Sequence, residues 1–263
     1  MTIRSDPGFP GQRAILKATV PLPNEKGIIL TTASLHVRGL VFEGGRVADS
    51  LGGNGAGIRD QQTEPGAHLI VENSIFRHNQ EGILQGDDFD EAITIINSRF
   101  VDNGNSNGNY FQHAVYINNA ASLSVTHTLF CGQLIGHNIK SRALVITVSD
   151  NRIYDGAAGP ANCRVGSSSL AVDIPNGGIA TIAGNQLIQG PASQNYKIID
   201  YGEEGLVYSE NSLTVTDNNF VNTAPSATGI YDPYCIPAQT FGNSFQDVPM
   251  PIDPAQCEEL QSD

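Results

Sequence analysis

Cations are scarce in this sequence. Lysine and arginine together number 14 of 263 residues, against 27 aspartates and glutamates, and the formal net charge is −13. Nucleic-acid phosphates call for a basic face, so nucleic acid is excluded as a general partner. No run of 18 apolar residues occurs, and no membrane span is expected. The opening "MTIRSDPGFP" lacks the apolar core of a secretory leader. The compartment expected is nevertheless secreted or periplasmic, with the leader already removed. The four cysteines, Cys131, Cys163, Cys235 and Cys257, show no CxxC spacing, which argues against zinc. Cys235 and Cys257 could tie down the C-terminal tail in an oxidising compartment; four free, partly buried thiols is the alternative.

What the sequence does have is a repeat. "LIVENSIFRHN", "AITIINSRFVDN", "LSVTHTLFCG", "ITVSDNRIYDG", "ATIAGNQLIQG" and "LTVTDNNFVNT" share one pattern. A β-branched residue is followed five positions on by a large apolar one: Val71/Phe76, Ile95/Phe100, Val125/Phe130, Val148/Ile153, Ile182/Leu187 and Val215/Phe220. Val37/Phe42 precedes them, and a degenerate Thr240/Phe245 follows. An Asn, Asp or His two or three positions after the first member is expected to ladder along a stack, and His127 is read as structural in such a slot. A second apolar column, Ile58, Ile83, Val115, Ile139, Val172, Ile199 and Ile230, follows the pairs. Short strands in units of this length, with Asn and Gly at the bends, predict an all-β, right-handed parallel β-helix of about eight coils over 1–247, with 248–263 as a tail. A leucine-rich solenoid fails because leucine is sparse and no helical pattern recurs. "MTIRSDPGFPGQRAILKATV" is expected to supply an early coil, unless the chain is a fragment of a longer helix.

Alternation along a strand then sorts the second column's neighbours. With Ile139 and Ser141 inward, Asn138, Lys140 and Arg142 of "GHNIKSRAL" point outward. The same register gives one outward row, Arg59, Leu84, Tyr116, Lys140, Asp173, Asp200 and Tyr231. A second, two residues on, runs Gln61, Gly86, Asn118, Arg142, Pro175 and Gly202. The inserts 44–56, 103–112 and 156–169 fall between the two apolar columns and are expected to wall this row into a groove.

The repeat over roughly 30–247, with blocks such as "GNGAGIR", "HNIKSRA", "DIPNGG" and "YGEEG", resembles the pectate-lyase-like superfamily of right-handed β-helices. That superfamily includes pectate and alginate lyases, C5-epimerases, polygalacturonases and phage tailspikes. The resemblance implies an acidic polysaccharide as partner, with a lysine and an arginine on the helix face in the alginate-lyase manner.

The favoured activity is β-elimination on a uronate polymer. Arg142, with Arg59, would neutralise the uronate carboxylate. Lys140, its pKa lowered by the neighbouring cation, or His137 would take the C5 proton. Tyr116 or His113 would protonate the leaving oxygen. His113 and His137 lie two residues before Val115 and Ile139, so their rings are expected to stack in adjacent coils. Asn118, Asn138, Asp173, Asp200 and Tyr201 complete the expected substrate contacts. Asp173 and Asp200 also admit three other readings: a glycosidase pair, calcium ligands helped by Glu203 or Glu204, and charge partners of Lys140 and Arg142. "DDFDE" at 87–91 reads as a solvated loop. The alternatives to a lyase are a C5-epimerase, a glycoside hydrolase using Asp173 and Asp200, and a non-catalytic carbohydrate-binding or tailspike-like module.

Overall fold

The computed structural model describes residues 1–5, 12–87, 89–105, 112–236 and 238–254. Its strands form three parallel sheets of nine strands each, and every coil contributes one strand to each sheet. Ser122–Thr126, Leu129–Cys131 and His137–Ser141 make up a central coil. The chain is a parallel β-helix, and its arrangement is consistent with the right-handed form.

The stack has about nine coils, in line with the expected eight or so, and the N-terminal segment supplies the early coil expected of it. Thr2–Arg4, Ala14–Lys17 and Gly27–Thr31 pair with the first strands of the repeat. At the other end Met250–Asp253 pairs with Thr228–Tyr231, so the stack runs past residue 247 into the segment read as a tail.

The anchor columns stack in register. Val37 pairs with Val71, Val71 with Ile95, Ile95 with Val125, and so on to Val215 with Thr240. Val37 to Val215 are fully buried in this column. In the second sheet the Phe42, Phe76, Phe100 and Phe130 rings repeat 4.7–4.9 Å apart and within 6° of parallel, the spacing of the coils themselves. Backbone across the core gives way to these rings. A Cβ on Gly82 would collide with the Ala114 carbonyl oxygen and lie 2.6 Å from Phe100, which is why glycine precedes the Ile83 anchor.

Of the two slots expected for the polar ladder, two and three positions after the first anchor, the second carries it. Asn73, Asn97, His127, Asp150 and Asp217 occupy a corner with positive φ, a conformation that Asn, Asp and His tolerate better than most side chains. The ladder belongs to the next position. There the Nδ2 amides of Asn151, Asn185 and Asn218 donate to Asn185, Asn218 and Asn243 Oδ1 at 2.9–3.1 Å. His127 is therefore an exposed corner residue, and the buried Thr128 takes the ladder place in its coil.

Cys131 and Cys163 form a disulfide that ties the insert 156–169 to the second sheet, a pairing the sequence reading did not make. Cys235 is also disulfide-bonded, while Cys257, the partner expected for it, lies outside the described residues.

Candidate functional site

The third sheet carries the outward row in the expected order. Arg59 pairs with Leu84, Leu84 with Tyr116, Tyr116 with Lys140, Lys140 with Asp173, Asp173 with Asp200 and Asp200 with Tyr231. Parallel in-register pairing stacks like positions about 4.8 Å apart, so seven side chains share one face.

Lys140 and Arg142 are not a bare pair of cations. Lys140 Nζ donates to Asp173 Oδ2 at 2.7 Å and to Glu204 Oε1 at 3.0 Å. Arg142 Nη2 donates to Glu204 Oε2 at 2.6 Å, and its Nη1 donates to the Tyr116 hydroxyl at 2.6 Å. One carboxylate thus bridges both cations. Burial alone would lower the Lys140 pKa, but Asp173 and Glu204 outweigh it and the pKa is raised. This corrects the expectation that the adjacent arginine makes Lys140 a base: the carboxylates hold it as ammonium.

Sequence reasoning missed Glu204 as the bridging ligand, and the reason is topological. It lies on the loop after Lys197–Tyr201, outside the three inserts, and reaches back past the Asp173 coil to that of Lys140. The loop is fastened there by Tyr208, whose hydroxyl donates to the Arg142 carbonyl.

His113 and His137 do stack, with ring centroids 4.9 Å apart. His113 Nδ1 accepts the His137 backbone N–H at 3.0 Å, which leaves its ring proton on Nε2. Burial, with His137 and Lys140 nearby, holds the His113 pKa well below its usual value. Burial and Lys140 pull His137 down to about 3. Both rings are uncharged at neutral pH. His137 Nε2 lies 3.3 Å from Asp173 Oδ2.

Asp173 and Asp200 are register neighbours, but each faces a lysine. Lys197 Nζ lies 2.9 Å from Asp200 Oδ2 and 3.0 Å from Glu203 Oε1, and it sits 3.6 Å from the Tyr231 ring centroid. Burial and the hydrogen bond with Glu203 push the Asp200 pKa up to about 8, while Glu203 is lowered. Lys197 stands between the two carboxyls and pairs with both. Among the described residues no group of three His, Cys, Asp or Glu side chains is placed to hold a metal ion.

Two expected contacts are walled off. Asn138 is fully buried, its amide donating to Leu170 O at 3.3 Å and to Ser168 Oγ of the insert 156–169 at 3.4 Å. Tyr201 is fully buried too, its hydroxyl donating to Gly178 O at 2.6 Å. Neither presents a surface to a ligand.

Beyond Tyr116 the face opens into a cleft of about 380 Å³, lined in part by Asn54, Arg59, Glu81, Gln85, Tyr116 and Asn118. Asn54 comes from the insert 44–56, so that insert forms one side of the cleft. Glu81, which sequence reasoning missed, is held by the His113 backbone N–H at 2.7 Å. Burial raises its pKa well above the carboxylate range. Its only sequence signal was a charged residue two positions before an anchor.

No family model, curated protein or solved structure matches this chain. The site is read from its own geometry.

Proposed function

We propose that the third-sheet face binds a uronate-containing polysaccharide and cleaves it by β-elimination. The observation that carries this reading is the Glu204 carboxylate, bridging Lys140 at 3.0 Å and Arg142 at 2.6 Å from a side chain 46% exposed. A position that holds one carboxylate between an ammonium and a guanidinium fits another of the same chemistry. A uronate carboxylate that displaces Glu204 would have its charge neutralised there, which acidifies the C5 proton. In the elimination a base removes that proton, the electron pair becomes the C4=C5 bond, the C4–O bond breaks, and the leaving oxygen takes a proton. Tyr116, with Arg142 donating to its oxygen, supplies that last proton. Lys140, held as ammonium, stays with the carboxylate, and His137 beside it is the base, its Nε2 turning from Asp173 Oδ2 to the C5 proton because its Nδ1 is buried. Its depressed pKa makes proton abstraction the slow step.

A second reading, binding without cleavage, is favoured by the same low basicity. The hydrolase reading has less support, since Asp173 and Asp200 are both taken up by lysines. A panel of acidic and neutral polysaccharides, assayed for reducing ends and for the ultraviolet absorbance of a 4,5-unsaturated uronate, decides among them. The lyase reading expects the chromophore, lost in Tyr116→Phe. Reducing ends without the chromophore would refute it, and retention of a uronate polymer without turnover would leave a binding module.

A further inference from the structure

Arg59 stands apart from the other groups of this face. Its Nε is buried without a hydrogen-bond partner among the described residues, and it forms no ion pair with a described carboxylate. In a chain of net charge −13, with 27 acidic side chains for 14 lysines and arginines, an unmatched guanidinium is costly unless something fills its fork. Glu81, in the same cleft, meets that need only in part. It attracts Arg59 electrostatically but makes no hydrogen bond or ion pair with it, its Oε2 accepts the His113 N–H, and burial favours its neutral form.

We infer that the Arg59 cleft is a second carboxylate subsite, open in the resting protein, and that it engages an acidic sugar before the Lys140–Arg142 subsite does. The inference rests on the uronate reading above and adds an order to it. Arg59 lies in the coil of Ile58, and Lys140 lies three coils on, through Leu84 and Tyr116. The two subsites are therefore roughly 14 Å apart along the helix axis. The cleft is accessible, about 380 Å³ in volume, and its lining offers Asn54, Gln85, Asn118 and the Tyr116 ring to sugar hydroxyls and a sugar face. The far subsite is occupied by Glu204, so a carboxylate must compete for it. A short acidic sugar should settle at Arg59. Only an oligomer long enough to bridge the coils gains from displacing Glu204.

Titration calorimetry with oligogalacturonates and oligomannuronates of increasing length, and with carboxyl-reduced counterparts, tests this. The expected result is that Arg59→Gln weakens the charged oligomers by about tenfold or more. Arg59→Lys should recover part of the loss, and the carboxyl-reduced sugars should bind weakly to every variant. Arg142→Gln should weaken only the longer oligomers. Matched melting curves guard against misfolding. Equal affinity of wild type and Arg59→Gln for every uronate oligomer overturns the subsite, and so does equal binding of charged and carboxyl-reduced sugars. The two readings fail separately. Arg59-dependent binding in a protein that never forms the unsaturated product refutes the lyase alone. Formation of that product with KM unchanged in Arg59→Gln refutes the subsite alone.

Discussion

Replacing Glu204 by glutamine separates recognition from stability at this face. The substitution removes the charge that bridges Lys140 and Arg142 but leaves each cation a partner: Asp173 at 2.7 Å for Lys140 and the Tyr116 hydroxyl at 2.6 Å for Arg142. The Glu204 side chain is 46% exposed, so water screens what it contributes. Pairs of that kind are worth about 1 kcal/mol or less. A domain of this size shifts its Tm by roughly 2–4 °C per kcal/mol, so the melt should move only a few degrees. Asp173→Asn is a different perturbation. Lys140 is buried, its side chain 11% exposed, and would keep only the outer carboxylate. Breaking a buried pair from one side costs about 3–5 kcal/mol, a drop near 10 °C. Binding should move the other way for Glu204. A ligand carboxylate no longer competes with an internal one, and about 1 kcal/mol of relieved competition is roughly a fivefold gain in affinity for a bridging oligouronate. Circular-dichroism melts and calorimetric titration of both variants give the readout. Weaker oligouronate binding in Glu204→Gln, or equal destabilisation by the two variants, would refute the argument that Glu204 holds a ligand's place.

Val125 is fully buried in the first-sheet column, so Val125→Asp should cost several kcal/mol, and an unchanged melting temperature would contradict the register. Cys131, Cys163 and Cys235 are all disulfide-bonded, so the denatured, unreduced protein should show at most one titratable thiol; two or more would contradict the pairing. His137 titrates near 3 when folded and near 6.5 when unfolded, so between those values the unfolded chain binds the extra proton. Its stability contribution is whole above pH 6.5 and is lost as the pH falls toward 3. His137→Gln should flatten that limb of the stability–pH curve, and an unaltered slope would show that His137 is not buried neutral.

The fold was legible because inward positions repeat. Val125, Phe130 and Ile139 belong to columns whose members all meet the same core, so residue type alone exposes the period. Outward register followed from alternation, and the row from Arg59 to Tyr231 was readable for that reason. Sequence left the ladder open between two adjacent corner slots because they favour overlapping residue types. Asn suits the positive-φ corner at Asn97 as well as the ladder at Asn151, and only hydrogen-bond partners tell them apart. The Cys131–Cys163 pairing was not readable, since nothing in sequence marks which loop folds back on which coil.

Ionisation states were the least readable part, and Lys140 shows why. Sequence places Arg142 two residues away, and like charges at that spacing argue for a depressed lysine pKa. The sign reverses once two carboxylates enter, one from the next coil and one from a loop two coils on, 33 and 64 residues along the chain. Coil stacking makes the first neighbour predictable, because Asp173 is Lys140's register partner. The second depends on a loop path that no periodicity encodes. The same asymmetry bears on Arg59. Its register neighbours are Leu30 and Leu84, neither of which can balance a charge, so the row itself offers the guanidinium no counterion. What sequence alone makes look like two similar cations on one face are thus different objects: Lys140, matched twice over by carboxylates at hydrogen-bond distance, and Arg59, which has only the electrostatic pull of the buried Glu81.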